Sequence, residues 1–518
     1  MSLTPSPRHP VPAAALAAAL TALALGAGAA HAQLPQALIP PPPADTGLTP
    51  VQTSPAPAPP LAAPPVAPPA ETVLAPDPAP EPPAAPIAPP VSVQAAPLQA
   101  PDLFSADAGR ATGLPADLWR GSSFDLARTV IPMAAVRPMS PAAAAFAIRV
   151  MSTSASAPYG GGSDAYLAAA RINVVLSLGE PAGARTMLEH TPGVRQSAAL
   201  SQVAAEADLV LGREDEACSL GDTLAAGKDA PYFRRLRAYC LVRAGDKAGA
   251  QLAYDLTEEQ AKDDIYKRLM SAAVSGAPAT GQQASLRNGL EYALSKRLGL
   301  DLAPALDKAW APIATMVARD ASVPAPLQAV AAAKIARRQA DLNQASSLNP
   351  AVRDAAVSLA DNKLTPELAE RLAAQGNSGQ AVAQQALALY AAAGAPGAGR
   401  VRAVFATFNL GAARANQARM LELDAVSTGG AKGDAALLAL WLMMDAGEAG
   451  PVPADRARIV RGLNRAGFGE DARRYALEGV LGLQPPAAAP APPPPPAVAK
   501  PPPKPAKKPV KRKPRSGD

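Results

Sequence analysis

Histidine is almost missing from this chain. Only His9, His31 and His190 occur among 518 residues, and the first two fall in an N-terminal stretch that reads as a removable leader. The remaining imidazole, His190, sits at a helix end before Thr191-Pro192 and reads as a helix cap rather than a general base. A Ser-His-Asp set would have to use that one residue. With one histidine and a cysteine pair expected to be oxidised, no zinc site of the usual ligands can form. No phosphate-binding Gly-x4-Gly-Lys-Ser/Thr loop is present. Gly467-Phe468-Gly469-Glu470-Asp471-Ala472 spells a dinucleotide fingerprint but follows a helix rather than a strand, so it reads as a turn. The expectation is therefore no catalytic residue, no cofactor and no metal.

Aromatic residues are scarce, at 4%, although 48% of the chain is apolar. Alanine and leucine supply the excess, and both have high helix propensity. Runs of Val, Ile, Thr, Tyr and Phe that mark strands are nearly absent. The expected fold class is all-α. Apart from the N-terminal leader, no segment is apolar for long enough to cross a bilayer; the longest run, Ala435 to Met444, is about half of what a span needs.

The two ends differ from the middle. Arg8 precedes an apolar run over 13 to 27, and Ala30-His31-Ala32 fits a small-x-small cleavage site, with Gln33 as the new first residue. Residues 1–32 thus read as a signal peptide and the mature chain as periplasmic, envelope-associated or secreted. Residues 33–100 are dominated by Pro and Ala. Proline fixes φ and lacks a backbone donor, so a disordered, partly polyproline II linker is expected, reaching on the order of 200 Å if extended. Asp45-Thr46-Gly47, the triplet of aspartic proteases, lies inside it and is discounted. Residues 485–518 form a second Pro-rich tail carrying Lys500, Lys504, Lys507, Lys508, Lys511, Arg512, Lys513 and Arg515 against Asp518. The whole chain carries only +6, so the rest is close to neutral. Such a tail attracts anionic polymers or membrane surfaces, or merely keeps the chain soluble.

Between the ends, helical patterns alternate with Gly and Pro breaks: a lead-in over 101–163, repeats over 164–278 and a further helical region over 279–484. Helices are predicted over 164–178, 198–211, 232–244, 286–298, 326–340, 366–374 and 454–465. Thr365-Pro366 places a capping hydroxyl before a proline tolerated at the first helical position. Three segments share one register: LSLGEPAGARTML, LVLGREDEACSLG and LVRAGDKAGAQLAY. Their glycines Gly179, Gly212 and Gly245 recur every 33 residues, and Ala184, Ala217 and Ala250 follow five positions later. Glycine ends one helix in a left-handed cap; a small residue on the next lets the pair close. Further pairs, Gly376/Ala381 and Gly467/Ala472, are out of phase, and in an Ala-rich chain such spellings arise by chance.

Over residues 164–256 the chain resembles the tetratricopeptide family, whose repeats show this Gly-to-Ala spacing. Four residues past the alanines, Leu188 and Tyr254 match the large apolar residue often found there and Gly221 does not. The family's signature Trp is missing, and Pro192 and Pro231 only approximate its closing proline. The alternative is an irregular helical bundle. The resemblance implies an α-solenoid of helical hairpins whose concave groove binds a peptide or extended partner. In that register Cys218 and Cys240 lie on neighbouring helices, and an exported pair is expected to form a disulfide. The acidic pairs Glu258-Glu259 and Asp263-Asp264 point to different sides of a helix and read as a solvated face. The arginine clusters Arg234-Arg235-Arg237 and Arg337-Arg338 lack the aromatic neighbours of a nucleic-acid site, so no nucleic acid is expected. The implied function is a non-catalytic scaffold for a protein or envelope polymer. Rival readings are a structural or export-accessory protein touching peptidoglycan or surface polysaccharide through its tail, and a glycan-acting enzyme.

Overall fold

A computed structural model describes residues 101–258, 263–276, 281–336, 348–397 and 399–483. The predicted leader, Pro-rich linker and basic tail, including Lys500 to Arg515, lie outside these residues, as do Asp45-Thr46-Gly47, Glu259 and Arg337-Arg338. Among the described residues every regular element is a helix, as the Ala- and Leu-rich composition requires. None of these helices is long and apolar enough to cross a membrane.

The chain forms two compact units. Among the described residues one takes in 101–336 and Ala425–Glu448, the other 348–424 and 449–483.

The first unit opens with α1 (Phe124–Ala134) and α2 (Pro141–Met151). Three hairpins follow: α3 (Ala165–Ser177) with α4 (Pro181–Glu189), α5 (Ala198–Val210) with α6 (Glu214–Thr223), and α7 (Pro231–Ala244) with α8 (Lys247–Glu258). A short 3₁₀ turn, Val194–Gln196, joins α4 to α5. Polar residues set the helix starts: Asp164 accepts from the Tyr166 and Leu167 amides, and Ser197 from that of Leu200. Helices α3 and α5 lie at the centre. Every residue from Leu167 to Ser177 is buried, as is nearly all of Leu200 to Val210. A helix surrounded on all sides is apolar all round rather than striped, and each buried Leu or Val there contributes about 2 kcal/mol.

Helix α3 packs against α5, so the first two hairpins stack side by side. The third is placed differently. Helix α7 contacts α6, while α10 (Gly289–Arg297), which follows α9 (Asp264–Ser275), lies along α5. Gly289 permits this approach: a Cβ there would stand 2.9 Å from the Glu206 carbonyl oxygen. The unit is completed by α11 (Ala311–Arg319), α12 (Ala325–Ala336) and a later helix, α18 (Lys432–Ala446), which packs on α1.

The second unit contains α13 (Pro350–Ala360), α14 (Pro366–Asn377), α15 (Ala381–Ala392), α16 (Gly399–Phe405), α19 (Pro453–Arg465) and α20 (Gly469–Leu481), while α17 (Gln417–Gly429) runs across the division. Thr365 caps α14 through its hydroxyl, with Pro366 at the first helical position. Helix α15 is central, flanked by α13, α14, α19 and α20. Gly467, read from the sequence as a turn although its spacing to Ala472 was set aside as chance, makes a hairpin turn at φ +90° between α19 and α20, and Ala472 is fully buried. Gly376/Ala381 is no such pair: Gly376 lies inside α14, Gly379 makes the turn, and Ala381 is exposed.

Candidate functional site

The three repeat glycines all adopt left-handed backbone, with φ of +107° at Gly179, +76° at Gly212 and +83° at Gly245. A side chain there would be strained. Ala184, Ala217 and Ala250 on the following helices are fully buried. Where the repeat spacing offers only Gly221, Leu236 of α7 fills the space, 3.4 Å from where a Cβ would stand. Cys218 on α6 and Cys240 on α7 are joined by a disulfide, Cα to Cα 5.8 Å. It links the second hairpin to the third at the place where the stacking changes. Closing a loop with 22 residues of separation restricts the unfolded chain by about 3 kcal/mol. We expect the Cys218→Ser/Cys240→Ser protein to unfold at lower urea, by that free energy. Trp119, Trp310 and Trp441 all belong to the first unit, so tryptophan fluorescence reads the change there alone. An unchanged midpoint would refute it.

Charged groups inside the first unit make its unusual chemistry. Arg171, in the middle of α3, is 1% exposed. Its Nε donates to the Met151 carbonyl at 2.8 Å, and its two terminal nitrogens reach the carbonyls of Phe104, Ala106 and Thr153. The guanidinium also lies 4.8 Å from the Phe104 ring centroid. Burial pulls its pKa down to about 9, while Asp102 and Asp107 support the charge. Arg171 thus clamps the lead-in over 101–108 to the turn after α2.

Two carboxylates lie buried on α5. Glu206 accepts from the Gly289 amide at 2.5 Å, at the start of α10. Its other oxygen and the nearby Tyr232 hydroxyl are both buried without a well-formed hydrogen bond, although Tyr232 still stabilises the carboxylate electrostatically. Burial raises the Glu206 pKa to about 7; the Gly289 amide opposes this and Glu291 adds to it. Asp208 is fully buried, with Oδ1 2.7 Å from Arg185 Nε. Its carboxyl is also pushed up, because burial outweighs Arg185.

A third cluster corrects the reading of Asp263 as part of a solvated face. Its side chain is 11% exposed and lies 2.9 Å from Arg287 and 3.4 Å from Arg235. It also caps α9 through the Ile265 and Tyr266 amides. Burial alone would raise its pKa; Arg287 and the capping amides bring it below the ordinary carboxylate value. Arg287 extends the chain of charges to Glu291, which is buried. Arg235 lies over the Tyr266 ring and Arg234 pairs with Asp229, so both have internal partners. His190 follows the last turn of α4 and is largely exposed, 3.6 Å from Asp107.

Beside these charges is a cavity of about 380 Å³ between α4, the Val194–Gln196 turn, α5 and α6. Arg185, Arg195, Asp208, Asp215, Glu216 and Ser219 supply its polar lining. The sequence reading singled out none of these. Among the described residues no group of three or more His, Cys, Asp or Glu is placed to hold a metal ion.

No protein family, curated protein or solved structure matches the chain.

Proposed function

We propose that the chain is an exported, non-catalytic helical scaffold of a Gram-negative-type envelope, whose tetratricopeptide-like hairpins bind a protein or an envelope polymer. The observation that carries this reading is the Cys218–Cys240 bridge between successive hairpins. Such bridges persist in oxidising compartments, and the leader-like residues 1–32 would deliver the chain to one. The hairpin spacing supports a binding rather than a catalytic role. The eight basic residues between Lys500 and Arg515 favour a second reading, a structural or export-accessory protein held to peptidoglycan or surface polysaccharide by its tail.

Fractionation and wall binding test both. The mature protein is expected in the osmotic-shock fraction with Gln33 at its N-terminus and no free thiol before reduction. The intact chain in cytosol, leader attached and both thiols alkylated, would overturn export. Isolated sacculi should retain the full chain and a variant with its tail Lys and Arg changed to Ser equally well on the scaffold reading. Loss of retention in that variant supports the tail reading instead.

A further inference from the structure

The described part of the first unit begins at Pro101, beside the most exposed large apolar side chain among the described residues. That side chain is Tyr159, 98% exposed. It sits at the tip of a turn in which the Gly161 amide donates to the Pro158 carbonyl at 2.8 Å. Both ends of the turn are tied to the first described residues. The Leu103 amide donates to the Gly162 carbonyl at 2.8 Å, and the Ala157 amide to Asp102 Oδ2 at 3.2 Å. Two more aromatic rings surround it. The Phe124 ring lies 3.1 Å from where a Gly161 Cβ would stand. The Arg128 guanidinium is 5.9 Å from the centroids of both Phe124 and Tyr166, and it pairs with Asp164, whose amide donates to the Gly161 carbonyl. Phe124 and Tyr166 are both partly exposed. Single exposed apolar residues are ordinary. Three aromatics at one turn are not, in a chain with only three Trp, nine Tyr and seven Phe.

Aromatic surfaces suit proline-rich chain, because flat rings pack on pyrrolidine rings and a polyproline II segment has little entropy left to lose. Such a chain arrives at this turn. Just before Pro101, residues 86–97 read PIAPPVSVQAAP, with no charge and with Pro86 and Pro89 in Pro-x-x-Pro spacing. They are within reach. Leu103 is bonded to Gly162, and Tyr159 is three residues from Gly162, hence at most about 11 Å away between Cα atoms. Pro97 is six residues from Leu103, a span of up to about 20 Å when extended. A tether this short holds the segment at a millimolar effective concentration, so a weak contact suffices. The basic tail is also rich in proline, but it follows residue 483 of the other unit and has no such tether. We propose that the aromatic turn around Tyr159 is a docking site for the chain's own segment 86–97, whose proline rings pack on Tyr159 and against Phe124 and Tyr166. The assignment goes beyond the scaffold reading and uses neither export nor the tail, so its failure leaves that reading standing.

Limited elastase digestion of the full chain tests it. Elastase cuts after small apolar residues, so the bonds after Val91 and Val93 report on the docked segment, and the bond after Ala62 serves as the reference. Tyr159→Ser is expected to speed cleavage after Val91 and Val93 about threefold or more relative to Ala62, as follows when a contact with Kd below about 1 mM is lost at millimolar effective concentration. Tyr159 is exposed, so this variant should melt like the parent. Changing Pro86, Pro89, Pro90 and Pro97 to Ser empties the site from the other side. By fluorescence anisotropy, a labelled peptide of residues 83–100 should bind that variant about threefold more tightly than the parent, since the tethered competitor is gone. Adding Tyr159→Ser should then weaken the peptide about tenfold. A smaller change in cleavage, or equal peptide binding by the parent and the proline variant, would overturn the proposal. Protection that vanishes on about hundredfold dilution would overturn it too, by assigning the site to the linker of a second copy. So would tighter Tyr159-dependent binding of a peptide of residues 489–505, which assigns the site to the tail.

Discussion

Arg171→Met is expected to destabilise the first unit by about 4–5 kcal/mol, at the upper end for a single substitution. Methionine fills a similar length of the α3 core but donates nothing. Four carbonyls, of Phe104, Ala106, Met151 and Thr153, then lose a charged donor. All four residues are buried, so water cannot replace it without opening the structure. A hydrogen bond to a charged group contributes about 1.5–3 kcal/mol, and a buried acceptor left bare costs a similar amount. The four losses overlap, because one loop movement can free several acceptors together. The total should therefore fall well below their sum. Arg171→Lys tests geometry apart from charge. An ammonium retains the charge, but a compact point of three donors cannot span carbonyls arranged around a planar fork, so at least half of the loss should persist. Urea unfolding followed by tryptophan fluorescence measures both variants, and proteolysis should cut the released lead-in near residues 101–108. A loss below about 1 kcal/mol for Arg171→Met would show that the clamp does not hold the lead-in.

Much of the helical framework was legible in the sequence. The central helices were predicted within a residue or two because their punctuation is local: Gly179 and Gly212 stop them, and the structure adds Asp164 and Ser197 as the caps that start them. The bridge partners followed from compartment and register. What was not legible depends on which helix lies beside which. Arg171 interrupts the apolar run Tyr166 to Leu176, but spacing cannot say whether such an arginine snorkels to water or meets carbonyls brought from Phe104 and Met151. Glu206 and Asp208 lie two apart on α5 and so point to opposite sides of the helix; which neighbour each meets, α10 for Glu206 and α4 for Asp208, is set only by the fold. The predicted helix over 286–298 begins at Gly289 because the Asn288 side chain accepts from the Glu291 amide. That start is what brings Gly289 against Glu206. Asp263 was misread for the same reason, since its partner Arg287 is 24 residues away. The cavity is equally non-local, being assembled from three helices and a turn.

The Glu206 contact makes stability depend on pH in a defined direction. Folded, its carboxyl titrates near 7; in the unfolded chain it returns to about 4.5. Between these values the folded state holds the proton and the unfolded state has lost it, so stability falls as pH rises. The contribution is complete below about pH 4.5 and lost above about 7, and at about 1.4 kcal/mol per pH unit it amounts to about 3 kcal/mol. Asp208, also pushed up, adds to this slope, while Asp263, pulled down, gives the opposite slope at lower pH. Comparison with Glu206→Gln cancels those shared contributions. The amide keeps an acceptor for the Gly289 amide and never ionises. The two proteins should be similar near pH 4.5, and the variant should be more stable at pH 8 by about 3 kcal/mol. That is an uncommon expectation for a substitution at a fully buried, hydrogen-bonded residue. It follows because burial costs the ionised carboxylate more than the Gly289 and Leu290 amides and Tyr232 return, with Glu291 close by and Arg287 already shared between Glu291 and Asp263. Fluorescence-detected urea unfolding at the two pH values decides the matter. Equal pH slopes in parent and variant would mean that Glu206 is not the group that titrates.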